Sequence, residues 1–235
     1  MSIAWSSLSM MALKSGMVEF KAEGQPGKGY LASPEAPRGG VLVLHAWWGL
    51  NDFFKSFADK LASQGFVALA PDLYDGPVAK SVEEAKELHS KVDNERIKQI
   101  VLGATDYLWT DSSISGRKIG VIGFSMGAAW SLSLSTLKPE AVGAVVVFYG
   151  SWPIEFSKAQ ASFLGHFSPD DEWEPVADVH ATEEKIRGAG KEVTFHFYPG
   201  TKHWFVEENR PVEYNRAASD LAWKRTLEFL NNKLR

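Results

Sequence analysis

Cysteine is missing from all 235 residues. Without it no disulfide framework, thiolate metal site or thiol nucleophile can form, and the chain carries no mark of an oxidising compartment. An excess of charge of one sign is missing too: 25 basic and 29 acidic residues leave a formal net charge of -4, with no basic surplus to neutralise a nucleic-acid backbone. No segment approaches the roughly 20 continuous apolar residues that a membrane-spanning helix needs. The opening MSIAWSSLSMMALKSG lacks a basic start and an unbroken apolar stretch, being interrupted by Ser6, Ser7 and Ser9. Residues 1–16 read as a loose or helical extension, and 17–235 as a single domain. Repeats, linkers and low-complexity tracts are also lacking, and no length is spare for a large lid. These absences point to a cytoplasmic protein that works on a small molecule, with neither nucleic acid nor membrane as partner.

What the chain does have is 45 % hydrophobic residues, enough for a full core, arranged as short apolar runs that alternate with helix-period segments. That alternation predicts an α/β fold with a mostly parallel central sheet and helices on both faces. Val41 to Ala46, Phe66 to Ala70 and Lys118 to Phe124 are continuous apolar runs of the kind buried on both sides of a sheet. Val142 to Phe148, Ala161 to Phe167 and Glu192 to Tyr198 supply three more strands, and Met17 to Ala22 with Gly29 to Ala32 could form an antiparallel hairpin at the edge. Phe54, Phe57 and Leu61 share a helix face, with Asn51 or Asp52 to cap its start and Gly65 to end it. The stretch from Ser81 to Trp109 reads as helical, and Trp223, Leu227, Leu230 and Leu234 mark a closing amphipathic helix.

Gly123-Phe124-Ser125-Met126-Gly127 is a G-x-S-x-G pattern lying directly after the apolar strand KIGVIGF and before the helix-like MGAAWSLSLS. The bare pattern is weak; the strand-to-helix context gives it force. A serine on such a turn is strained and needs small neighbours, which Gly123, Gly127, Ala128 and Ala129 provide. The competing reading makes Ser125 an ordinary helix N-cap. If the turn is a nucleophile elbow, the Met126 N–H lies at a helix N-terminus and can meet a substrate oxyanion.

Of six histidines, His203 lies in the loop YPGTKHWF between the last strand and the closing helix, where parallel sheets place their chemistry. His196, His89 and His180 read as structural or solvent-facing, while His45 and His166 end strands. The orienting acid is expected in SPDDEWEP, where Asp170 and Asp171 both qualify. The resulting expectation is a Ser-His-Asp hydrolase of small carboxylic esters or lactones, working through an acyl-enzyme and needing no metal or other cofactor. A non-catalytic fold of the same kind, binding a small ligand or partner protein, is the alternative.

Five segments, HAWWGLN, PDLYDG, GFSMGAA, LGHFSPDDEWEP and YPGTKHWF, resemble the dienelactone hydrolase family of α/β-hydrolases, over nearly the whole chain from Met17 onward. The resemblance implies an eight-stranded, mainly parallel sheet. It also implies that the acid stands four residues before a proline, which selects Asp171 through Pro175, and that the second oxyanion donor is the N–H of Trp47. This chain departs from the family pattern in having Ser125 where the namesake enzymes use cysteine, Ala46 where they keep a glutamate, and Glu207 where they place a carboxylate-binding arginine. Arg210 is near but out of position. A serine esterase acting on neutral substrates is therefore expected. Trp48, Trp152 and Trp204, with Trp47, adjoin the site loops and are expected to wall an open, apolar substrate pocket.

Overall fold

A computed structural model describes residues 13–114 and 116–234. Most of the expected extension lies outside the described residues, but its end does not: the first strand, β1 (Lys14–Phe20), starts three residues before Met17. It pairs antiparallel with β2 (Gly27–Ser33), forming the expected edge hairpin. There follow β3 (Gly39–Leu44), α1 (Asp52–Ser63), β4 (Phe66–Pro71), α2 (Val82–Ser90), α3 (Asn94–Trp109), β5 (Ile119–Phe124) and α4 (Met126–Leu137). The chain continues through β6 (Val142–Phe148), β7 (Ser162–Phe167), α5 (Val176–Gly188), β8 (Val193–Phe197) and α6 (Arg216–Lys233).

The strands form one eight-stranded sheet in the order β1-β2-β4-β3-β5-β6-β7-β8, antiparallel only where β2 meets its neighbours β1 and β4. Every residue of β3, β4 and β5 is buried, which explains why these strands read as unbroken apolar runs. Successive side chains serve opposite faces. Val41, Val43, Ile122, Phe124, Val146 and Phe148 join Phe54, Phe57, Leu61 and Leu230 on the face covered by α1 and α6. Leu42, Leu44, Val121, Val145 and Val147 join Ile97, Ile100, Leu132, Val179 and Ile186 under α3, α4 and α5. No helix among the described residues is long and apolar enough to cross a membrane.

Local signals set the helix ends. Asn51 accepts hydrogen bonds from the N–H groups of Phe53 and Phe54 at the start of α1, and Gly65 follows its end with φ of +90°. The single helical stretch expected from Ser81 to Trp109 is two helices. Asp93 takes an extended conformation and accepts from the Glu95 and Arg96 N–H groups, so it starts α3 afresh instead of continuing α2.

His45 binds the carboxyl ends of β3 and β4 together. Its Nδ1–H donates to the Ala46 carbonyl at 2.6 Å, and its Nε2 accepts from the Leu73 N–H at 3.0 Å. A second ring proton would face the Leu73 N–H. Burial accordingly lowers the pKa of His45 to about 4. In the unfolded chain this histidine takes up its proton near pH 6.5, so its contribution to stability is lost as pH falls from about 6.5 to about 4. The stability gap between the parent and His45→Gln, measured by urea unfolding, is expected to shrink by roughly 3 kcal/mol across that window. A gap independent of pH would contradict the assignment.

Candidate active site

Where β5 ends against β6, the chain reverses into α4 through Ser125, at φ 51° and ψ −113°. Such a conformation in a non-glycine residue costs about 1–3 kcal/mol and must be enforced by its surroundings. The Ser125 N–H donates to the Phe148 carbonyl at 2.9 Å, and the Ser125 carbonyl accepts from Ala128 at 2.9 Å. Two close approaches complete the constraint. A Cβ on Gly127 would lie 2.2 Å from the Leu44 carbonyl oxygen of β3, and one on Gly123 would lie 2.2 Å from the Gly127 carbonyl oxygen. The N-cap reading of Ser125 fails, because its hydroxyl makes no capping bond to α4.

That hydroxyl instead meets His203. Nε2 of His203 lies 3.0 Å from Ser125 Oγ, and Nδ1 lies 2.7 Å from Asp171 Oδ2. His203 stands on the loop after β8, as expected, and Asp171 on the loop after β7, so adjacent parallel strands deliver both partners to the rim where the elbow sits. The other carboxylate oxygen of Asp171 accepts from the N–H groups of Trp173 at 2.8 Å and Glu174 at 2.9 Å, which fixes its plane. Asp170 is exposed and does not bond the histidine. An anionic acceptor on Nδ1–H selects the tautomer whose Nε2 lone pair faces the serine. The triad expected from chain order, with Asp171 selected by the family resemblance, is thus assembled in space.

The remaining histidines divide. His166 is buried between the Tyr198 hydroxyl at 2.8 Å and Thr226 Oγ1 at 3.0 Å, which makes it a core residue. His89, read as structural or solvent-facing, is exposed on α2 and also lines the pocket beside Ser125. That pocket has a volume of about 550 Å³. One wall is a single face of α4, where Met126, Ala129, Trp130 and Ser133 recur at helical spacing. Trp47 and Trp152 line it as expected. Trp48 and Trp204 do not: they are 2 % and 3 % exposed and pack behind Trp47, with the Trp204 ring stacked on that of Trp47 at 6.1 Å. The reason is Arg210, whose guanidinium lies 4.3 Å from each of their ring centres and draws both indoles into the protein. Glu174, Asn94, Trp130 and Ser151 are lining residues that sequence reasoning missed. The α4 face was visible as periodicity, whereas nothing in the sequence signals that α2 and α3 reach this rim.

Behind the catalytic imidazole lies a second polar layer. The Tyr149 ring centre is 4.8 Å from that of His203, and the Tyr149 hydroxyl donates to Glu207 Oε1 at 2.7 Å. Glu207 therefore holds a tyrosine against the back of the histidine and does not face the pocket. Burial pushes its pKa up to about 8, against the partial relief given by Tyr149 and Arg210. In the unfolded chain Glu207 ionises near pH 4.5, so its stabilising contribution is complete at low pH and is lost as pH rises towards 8. Glu207→Gln, which keeps an acceptor but cannot ionise, is expected to gain stability relative to the parent between pH 5 and pH 9, by several kcal/mol. Chemical denaturation of the pair at both pH values measures this, and an unchanged difference would show that the carboxyl ionises freely.

The dienelactone hydrolase family model matches residues 28–234. Protein usf of Aquifex pyrophilus is 30 % identical over 227 residues, covering 93 % of this chain and 98 % of that one. Among solved structures, a dienelactone hydrolase-like promiscuous phosphotriesterase from metagenomic libraries superposes with a TM-score of 0.86 at 22 % identity, covering 95 % of this chain and all of that one. A dienelactone hydrolase from Anabaena variabilis gives 0.74 at 20 % identity over 95 % and 99 % of the two chains. The fold, the assembled Ser125-His203-Asp171 arrangement and the family match over most of the chain agree: this protein belongs to the dienelactone hydrolase family of the α/β-hydrolases, in a form with serine at the nucleophile position.

Proposed function

We propose that the protein hydrolyses small carboxylic esters or lactones that carry no anionic group, through an acyl-enzyme formed on Ser125. The observation that carries this reading is the continuous hydrogen-bonded chain from Ser125 Oγ through His203 to Asp171 at the wall of an open cavity. His203 takes the hydroxyl proton as Ser125 Oγ attacks the substrate carbonyl. The tetrahedral oxyanion is met by the backbone N–H groups of Met126 and Trp47. Support for that pair comes from the elbow itself: Met126 opens α4, so its N–H has no acceptor within the helix, and the contact of Gly127 with the Leu44 and His45 carbonyls presses this helix end against the loop that carries Trp47. His203 then gives its proton to the leaving alkoxide. Water, activated by the same imidazole, attacks the acyl group, and the proton returns to Ser125 as the acid product leaves.

Among the described residues no arginine or lysine lines the cavity to hold a substrate carboxylate, which argues against the anionic lactones implied by the family name. Arg210 is engaged by Trp48, Trp204 and Glu213, the last at 3.3 Å, and is not offered to the pocket. The walls are aromatic and the cavity is open, which favours short acyl and alkyl groups.

Hydrolysis of a short nitrophenyl ester should be readily measurable, and a fluorophosphonate should label the parent protein. Ser125→Ala is expected to lose labelling and to lower kcat by roughly 10³-fold or more, and His203→Gln to lower kcat comparably, because members of a triad act as one unit. Turnover and labelling that persist undiminished in Ser125→Ala would overturn the proposal.

A further inference from the structure

We infer that the cavity beside Ser125 is selective for esters bearing a compact cationic group, such as a quaternary ammonium, with the Glu174 carboxylate as counter-ion and the Trp47, Trp130 and Trp152 rings as its walls. This names a substrate class for the esterase reading and rests on it.

Among the described residues that line the cavity, Glu174 is the one carboxylate, and no arginine or lysine accompanies it. It stands on the loop that ends at Pro175, three residues beyond Asp171. The Ser151 hydroxyl, on the loop after β6, donates to its Oε1. Its position is therefore set by the same loop that carries the triad acid, whose Oδ1 accepts the Glu174 N–H at 2.9 Å. Three tryptophans surround the space it faces. An indole face attracts a cation through its quadrupole, and the attraction grows when water is displaced. Trp173, packed against Trp47 with ring centres 5.1 Å apart, already holds the Lys86 ammonium 5.3 Å from its ring centre, so this aromatic cluster attracts an ammonium group within the molecule itself.

The charged and titratable groups around Glu174 are Asp171 on its own loop, Asp178 on α5, and His89 and Lys86 on α2, with His203 beyond the serine. Burial raises the pKa of Glu174 to about 7, with the neighbouring Asp171 and Asp178 adding to the rise. The carboxyl is therefore largely neutral at pH 5.5 and largely anionic at pH 8.5. Selectivity for a cation must strengthen as pH rises between those values, and an anionic ester must be increasingly rejected.

The test compares acetylcholine with its uncharged carbon isostere, 3,3-dimethylbutyl acetate, by the ratio of their kcat/KM values. The ratio cancels any general damage done by a substitution. At pH 8.5 the parent is expected to favour the cation about tenfold, with the preference falling towards unity at pH 5.5 and largely lost at both pH values in Glu174→Gln. In parallel, binding of phenyltrimethylammonium to Ser125→Ala, followed by calorimetry, should tighten over the same pH range and weaken on adding Glu174→Gln. Equal handling of the two esters at pH 8.5 overturns the inference, as does a cation preference that survives in Glu174→Gln. A pH dependence abolished by His89→Gln but kept in Glu174→Gln also overturns it, since it assigns the effect to the histidine. The esterase reading fails separately, if neither ester is cleaved in a Ser125-dependent way, and the calorimetry still decides the cation site in that case.

Discussion

The catalytic arrangement depends on one steric constraint, the contact of α4 with the carboxyl end of β3. Gly127 lets the helix start come so close to the Leu44 and His45 carbonyls that no side chain fits between them. This contact leaves a single residue for the reversal from β5 into α4, and that residue is Ser125, held at a positive φ it would not adopt unaided. The strain is offset by burial around the end of β5, where Phe124 and Phe148 stack on one face of the sheet with ring centres 4.8 Å apart. A hydroxyl raised in this way is free of capping duty and can meet the imidazole.

Around that fixed point the site is built in layers of decreasing burial. The Asp171 carboxylate is pinned by two backbone N–H groups, and His203 is 4 % exposed and backed by the Tyr149 ring. Glu207, at the position where family resemblance sets a substrate-binding arginine, has turned inward to hold Tyr149. One substitution in the pattern thus removes a cation from the substrate side and adds a support behind the base. On the outer wall Trp152 is 52 % exposed, so the pocket mouth is far less enclosed than the triad.

Much of this was legible in the chain. Strands buried on both faces announce themselves as unbroken apolar runs, and the elbow is a local motif, so Ser125 and its neighbours could be read directly. His203 followed from its place after the last strand. Asp171 was separated from Asp170 only by resemblance, and the reason is now physical: its two oxygens divide between the imidazole and two N–H groups of its own turn, while Asp170 is exposed. What escaped reading depends on contacts between distant segments. Trp48 and Trp204 adjoin site loops in sequence yet turn inward and pack against Arg210, and Glu174 is held at the cavity by a partner, Ser151, that lies 23 residues away. The break at Asp93 rests on its side chain accepting from the Glu95 and Arg96 N–H groups, a local signal that the apolar periodicity on either side hides.

The most direct examination of the central claim is a crystal structure of the protein after reaction with a small fluorophosphonate. The account requires the phosphorus bonded to Ser125 Oγ, His203 Nε2 within hydrogen-bonding distance of the adduct, and the phosphoryl oxygen between the Met126 and Trp47 N–H groups. An adduct on another residue, or a phosphoryl oxygen turned away from both N–H groups with His203 out of reach, would contradict it.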